Sequence, residues 1–330
     1  MKGLITDLDN TLWGGEAGEQ PSYSLDTTGM YSQYQSFLKR LHLEGILLGI
    51  ASRNNHNRIV QVFEHNKHHF LPLDYFTLRP SWGPKYKTIT EILNTWNILA
   101  SDVVFVDDNP FEIAQVESVH NINTILFDPN DFWGVIEKLR KYFPKKEKIL
   151  YEDTIRASSI ERGVEFEREK KEFDNEDKFY DNLDQHITVS YDVRFCERSF
   201  ELANKTNQFN MDGKRYTWKE WNTLEGISFS LSYSDKFGDL GKILVCRIDS
   251  SGTIRTFCMS CRAIGRRIEY FALHLAFVMF DYIKFPYIAT FSNAPFYKFM
   301  RTVLIGEERF FNKGELYLPK ILDNWCTDAA

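Results

Sequence analysis

Residues 1–15 read MKGLITDLDNTLWGG, an apolar run that ends in two aspartates one residue apart, Asp7 and Asp9. Gly3 to Thr6 fits the end of a buried strand, and Asn10 and Thr11 break it. Two carboxylates at the C-terminal edge of a strand repel each other and lose solvation. Such a pair is held by a cation or a ligand, or else faces water as a turn with an Asx-type hydrogen bond. The remainder of the chain has to decide between these.

Outward from that stretch, residues 1–145 alternate strand-like and helix-like patterns. GILLGIAS (45–52) and DVVFVDD (102–108) are continuous apolar runs ending in polar residues, as in strands covered on both faces. Helical patterns occupy 31–44 and 86–99. The expectation is an α/β domain with a doubly wound parallel sheet, which binds ligands outside its strand C-termini. There the polar run-ends converge: Asp7, Asp9, Ser52, Asp107 and Asp108, joined by Lys85 after RPSWGP. Carboxylates, a hydroxyl and an ammonium at one sheet edge suit Mg²⁺ and a phosphoryl group, the metal taking oxygen ligands and the lysine neutralising phosphate.

Residues 146–185 are dense in Lys, Glu and Asp, with apolar residues at roughly helical spacing, and read as solvated helices connecting two domains. From 186 to 330 the pattern is α+β. ISFSLSY (227–233) alternates strictly, DKFGDLG is read as a loop, and KILVCRI and TIRTFCMS as strands. A helix follows with Ile268, Phe271, Leu275, Val278, Met279 and Tyr282 along one stripe, then a strand at YIATF. CRAIGRR turns from strand to helix, presenting helix-start amides beside Arg262, Gly265 and Arg266, a pattern suited to diphosphate. Cys261 lies at that loop, where positive charge and amides would lower its pKa. Cys258 and Cys261 form a lone C-x-x-C, a poor zinc site. Cys246 reads as a buried strand residue, and Cys196 and Cys326 have no polar constellation around them in the sequence. Asn204, Asn207 and Gln208 in NKTNQFN are candidate substrate amides, or simple helix caps.

The whole chain sets the bounds. At 330 residues with a net charge of −6, it is long enough for two cored domains and lacks the basic surface expected of a nucleic-acid binder. The 43% hydrophobic and 26% charged residues are those of an ordinary water-exposed protein. No apolar stretch reaches about 18 residues and no signal-peptide pattern occurs, so neither a membrane nor export is expected, and the expected location is cytoplasmic. Five cysteines at irregular spacing do not make a disulfide framework.

DLDNTLW, ASRNN, the lysine of WGPK and FVDDNPFE together resemble the four motifs of the haloacid dehalogenase (HAD) superfamily. The resemblance implies a nucleophile at Asp7, a general acid/base at Asp9, phosphoryl-binding Ser52 and Lys85, and a Mg²⁺ site of Asp7, the Asp9 carbonyl and Asp108 with Asp107 beside it. The gaps after the first two motifs are too short for the folded cap many relatives carry. CRAIGRR resembles the coenzyme A loop of GNAT-type acyltransferases, although Arg267 replaces its second small residue. A capless HAD domain followed by a GNAT-like domain is similar to the FkbH-like proteins. ASRNN stands here for the more usual Cys-Ser-Lys-Asn-Asn.

That similarity implies a bifunctional glyceryl transferase/phosphatase. It would take 1,3-bisphosphoglycerate, pass the glyceryl group through a Cys261 thioester to the phosphopantetheine arm of an acyl carrier protein held by Arg262, Gly265 and Arg266, and remove phosphate at Asp7, for polyketide-type biosynthesis. Two alternatives are a small-metabolite phosphatase with a binding-only GNAT domain, and a sugar N-acyltransferase coupled to a phosphatase.

Overall fold

The computed structural model describes residues 1–191, 193–303, 310–312 and 326–329. The chain divides into two compact units, Met1–Ile160 and Glu161–Ala330.

In the first unit, five parallel strands, β1 (Gly3–Thr6), β2 (Leu47–Ile50), β3 (Phe76–Leu78), β4 (Val103–Asp107) and β5 (Asn123–Leu126), lie in the order β3-β2-β1-β4-β5. Their crossovers are helices α1 (Gly29–Leu43), α2 (His56–His65), α3 (Lys85–Trp96) and α4 (Pro110–Glu117), and α5 (Phe132–Tyr142) follows β5. Every residue of β1, β2 and β4 is buried, which explains their unbroken apolar runs. In α1, Tyr34, Phe37, Leu38 and Leu41 recur at helical spacing and form its buried face. Residues 7–28, between β1 and α1, hold turns, two isolated β-bridges and one 3₁₀ helix at Ser22–Ser24, so no folded cap is inserted there.

Two strand glycines make room for one indole. A Cβ on Gly3 would come within 2.6 Å of the Trp96 ring, and one on Gly49 within 3.1 Å. Trp96 therefore lies flat beneath β1 and β2, and its Nε1 donates to Thr77 Oγ1 on β3 at 2.8 Å. The end of α3 is thereby fixed under the strands whose far ends carry Asp7 and Ser52.

After α6 (Tyr151–Thr154), the division between units falls within α7 (Arg156–Lys170), followed by α8 (Glu176–Asp181). The expected solvated helices exist, but they carry a small aromatic core of Phe166, Phe179, Tyr180 and Leu183. The second unit then runs β6 (His186–Tyr191), α9 (Glu197–Lys205), α10 (Trp218–Thr223), β7 (Ile227–Asp235), β8 (Gly238–Ile248), β9 (Ile254–Met259), α11 (Ile268–Met279), β10 (Tyr282–Lys284) and α12 (Ala294–Val303). β6 to β9 form an antiparallel meander, joined on the β6 side by parallel β12 (Cys326–Ala329), while β11 (Phe310–Asn312) pairs with β10. The period of two sends Leu244, Cys246 and Phe257 into the core with α11 and α12. Val245 and Cys258 go to the opposite face with Leu202 and Trp221.

Three local expectations are corrected. DKFGDLG is mostly strand: Lys236 and Phe237 alone turn, because Asp235 Oδ1 accepts the Phe237 N–H and Gly238 takes φ +121°. The strand expected at YIATF lies earlier, at Tyr282–Lys284, and ends before Pro286, which has no N–H to pair. The buried residues of α11 are Ile268, Glu269, Phe271, Ala272, Leu273, Ala276 and Phe277, whereas Val278 is exposed and Tyr282 belongs to β10. No described helix is long and apolar enough to cross a membrane.

Gly3→Ala should destabilise the protein by about 1–3 kcal/mol through overpacking against Trp96. Chemical denaturation measures this; an unchanged midpoint would show that the indole yields without cost.

Candidate active site

The first unit reverses strand order between β1 and β4, which is where a doubly wound sheet opens a crevice at its carboxyl edge. Register does the rest. Thr6 pairs with Val106 on one side and Ile50 on the other, and the Asp7 N–H donates to the Val106 carbonyl at 2.9 Å. Asp7 therefore stands beside Asp107, with Ser52 two residues past the end of β2. Asn10, at φ 55°, turns the chain back, a left-handed geometry asparagine tolerates.

Lys85, the first residue of α3, reaches this edge. Its Nζ lies 2.9 Å from Asp7 Oδ1 and 2.7 Å from Asp107 Oδ2. Carboxylate oxygens of Asp7, Asp107 and Asp108 lie within 4.8 Å of one another. The other Asp107 oxygen accepts the Asn109 N–H at 2.9 Å, and Asp108, half-buried, faces Thr11 Oγ1 at 3.5 Å. Burial pushes the Asp7 carboxyl up, Lys85 pulls it down and Asp107 pushes it up again, leaving it at about 7. Burial also raises Asp107 and Asp108. The Lys85 ammonium stays above its usual range because the two aspartates outweigh its burial. Fully ionised, three carboxylates against one ammonium leave an excess of two negative charges. Hard oxygen donors with that excess fit a divalent cation such as Mg²⁺.

The Asp9 side chain turns away from this cluster. Its Oδ1 accepts from Trp13 Nε1 and the Ala17 N–H, both at 2.9 Å, and its Oδ2 accepts from Asn54 Nδ2 at 2.8 Å. Asn54 Nδ2 is also 3.1 Å from Ser52 Oγ, so one buried amide orients both groups. Sequence reasoning passed over Asn54; its place two residues after Ser52 in ASRNN is the available signal.

In the second unit the expected anion loop is engaged internally. Arg266 is buried, with Nε 2.9 Å from Asp235 Oδ2, Nη1 donating to the Arg262 carbonyl, and its guanidinium 4.3 Å over the Phe166 ring. Arg267 pairs with Glu176 and Asp177 and stacks 3.8 Å over Tyr180, whose hydroxyl donates to the Gly265 carbonyl. Arg262 Nη2 donates to the Leu240 carbonyl at 3.3 Å. Cys261 is half-buried and begins a 3₁₀ turn, Cys261–Ala263.

The amide run also serves structure. Asn204 exchanges hydrogen bonds with the backbone of Tyr216, and Asn207 Oδ1 accepts from Arg215. Gln208 lies beyond the end of α9, in the turn leading to Phe209.

One expectation reverses. Cys196 does have polar company: it caps α9, and its Sγ accepts from Lys242 Nζ at 3.3 Å. Burial pushes this thiol up, but the Ser199 side chain and N–H and the Lys242 ammonium outweigh burial and bring it below the ordinary range. Lys242 arrives from β8 and could not be placed from sequence. The Cys326 side chain lies outside the described residues. Cys246 and Cys258 are buried thiols whose pKa values burial raises.

No protein-family model and no curated protein matches the chain. Among solved structures it is similar to the N-terminal part of protein BF1531 from Bacteroides fragilis, which contains a phosphatase domain and was crystallised with Mg. Identity is 31% over 46% of this chain and 42% of that chain, with a TM-score of 0.41.

Because folding raises the Asp7 pKa, its proton favours the metal-free fold at low pH, and that contribution is lost as pH rises through about 7. A cation competes with that proton. Mg²⁺ should therefore raise the melting temperature by about 5–10 °C near saturation, with the gain growing as pH passes about 7. A pH-independent gain, or the same gain in Asp7→Asn, would contradict the site. Separately, Asp235→Ala should cost about 3–5 kcal/mol by leaving Arg266 buried and unpaired. Denaturation with and without a compensating Arg266→Met measures that.

Proposed function

We propose that the first unit is a Mg²⁺-dependent phosphomonoester hydrolase with Asp7 as nucleophile. The carrying observation is Asp7 at a strand end, 2.9 Å from Lys85 and grouped with Asp107 and Asp108. Asp7, Asp107 and Asp108 would hold the metal, which when bound screens carboxylate from phosphate and makes Asp7 anionic at neutral pH. Asp7 Oδ attacks phosphorus as the bond to the leaving oxygen breaks, and Asp9, once rotated off Trp13, Ala17 and Asn54, gives that oxygen its proton. Water then attacks the aspartyl phosphate, Asp9 takes its proton, and phosphate leaves. Lys85 and Ser52 hold the phosphoryl oxygens throughout, Ser52 oriented by Asn54.

The finer reading is glyceryl transfer from 1,3-bisphosphoglycerate to an acyl carrier protein. What supports it is the resemblance of the motifs and the order of meander, turn and helix over residues 227–279. Thiolate attack on the acyl carbonyl would expel phosphate and form a thioester, which the carrier thiol then takes up. Of the two half-buried thiols, Cys196 has an ammonium at 3.3 Å, whereas Cys261 begins a turn whose neighbouring arginines are internally bonded. Cys196 is therefore a second candidate beside Cys261.

Asp7→Asn should lower hydrolysis of a simple aryl phosphate about 10⁴-fold or more while the fold persists by circular dichroism. Turnover near wild type would remove the assignment. Intact mass after exposure to an acyl phosphate should give an adduct lost in Cys196→Ala; an adduct lost instead in Cys261→Ala returns the role to that thiol, and no adduct in wild type ends the thioester reading.

A further inference from the structure

Beside the phosphoryl site stands an ion pair that the hydrolysis scheme does not use. Arg53 follows Ser52 directly, and Glu112 lies in the first turn of α4, four residues after Asp108. Arg53 Nη2 is 2.7 Å from Glu112 Oε1. The loops that carry them leave β2 and β4, the strands on either side of β1. The pair therefore ties together the two loops that flank the strand leading to Asp7.

Its two halves are unlike. The Glu112 side chain is 6% exposed, and its Oε2 is buried without a hydrogen-bond partner, whereas the Arg53 side chain is 42% exposed. A carboxylate at a helix N-terminus gains from the helix dipole while solvated, so that role does not call for burial. Burying it with one oxygen unsatisfied is costly, and a loop tie could be made by a neutral amide. What burial achieves is a fixed guanidinium. Glu112 holds one edge of Arg53, and among the described residues the remaining N–H groups of Arg53 have no protein partner. An arginine presents five donors in a planar fork, so this residue, next to Ser52 in the chain, keeps donors suited to an oxyanion.

We propose that Arg53 binds a second anionic group of the substrate, a carboxylate or further phosphoryl group on the leaving-group side, and that Glu112 is its positioning residue. This rests on the phosphatase reading of the same site. It makes the substrate class a phosphomonoester with a second charge, over neutral alkyl or aryl phosphates.

Two measurements on the full chain with Mg²⁺ separate this inference from the reading beneath it. The first compares kcat/KM for phosphoglycolate and ethyl phosphate. Wild type should prefer the carboxylate-bearing ester by about ten- to hundredfold, the range of a charge-assisted hydrogen bond. Arg53→Ala should collapse that ratio, chiefly through KM. Glu112→Gln, close to isosteric, should reduce it, and Arg53→Lys should restore part of it. The second measures calorimetric binding of phosphonoacetate and 3-phosphonopropionate against methylphosphonate and ethylphosphonate, and needs no turnover. If neither ester is hydrolysed, the phosphatase reading fails, and the binding arm still judges Arg53. A preference for the carboxy-phosphonates that disappears in Arg53→Ala supports the inference. Equal or absent binding of both classes by wild type, or a preference surviving in Arg53→Ala, overturns it.

Discussion

The Lys85 ammonium, held between Asp7 at 2.9 Å and Asp107 at 2.7 Å, is the interaction around which the first unit is arranged. It exists only if β1 and β4 are parallel neighbours in register and if α3 begins at that edge. Parallel pairing brings both strand ends to one side, and a right-handed crossover returns each helix behind the sheet. Trp96, at the opposite end of α3, is seated against the two strand glycines. One helix thus has its C-terminal end fixed by an indole and its N-terminal end by an ion cluster.

Charge balance distinguishes this cluster from the buried ion pair of the second unit's anion loop. Arg266 and Asp235 form a neutral pair stacked on Phe166, although the second Arg266 Nη is buried without a hydrogen-bond partner. Such a pair restricts conformation, and breaking it is costly because the partner left behind is buried. The Asp7 group is also buried but carries excess negative charge, and its pKa values are raised by burial first and by the neighbouring carboxylates second. A folded chain tolerates it by holding a proton or taking up a cation.

The parallel sheet and its acidic edge were legible in the sequence because burial on both faces leaves unbroken apolar runs, and the polar residue ending each run marks the ligand edge. GILLGIAS and DVVFVDD gave up their strand ends in this way, and Ser52, Asp107 and Asp108 followed. The second unit was legible only in outline. ISFSLSY alternates and folds as β7, but the extent of β8 through DKFGDLG depended on a glycine at positive φ and a side-chain turn, neither visible as periodicity. The arginines of CRAIGRR looked available because Asp235, Glu176 and Asp177 lie 31 to 91 residues away in sequence. Cys196 looked isolated for the same reason, with Lys242 46 residues distant.

Local spacing places a charged group on an element; it cannot say which distant charge meets it. That limit applies with particular force to Arg53. Its neighbour Ser52 belongs to a recognisable pattern, yet its own orientation is set by Glu112, on a helix that follows another strand. In a doubly wound sheet, loops leaving strands on either side of a central one are brought together by topology alone, however far apart in sequence. The first contact on such an edge supplies reaction chemistry and can be anticipated from strand ends. If Arg53 binds as proposed, selectivity rests on a pair that only the folded chain assembles.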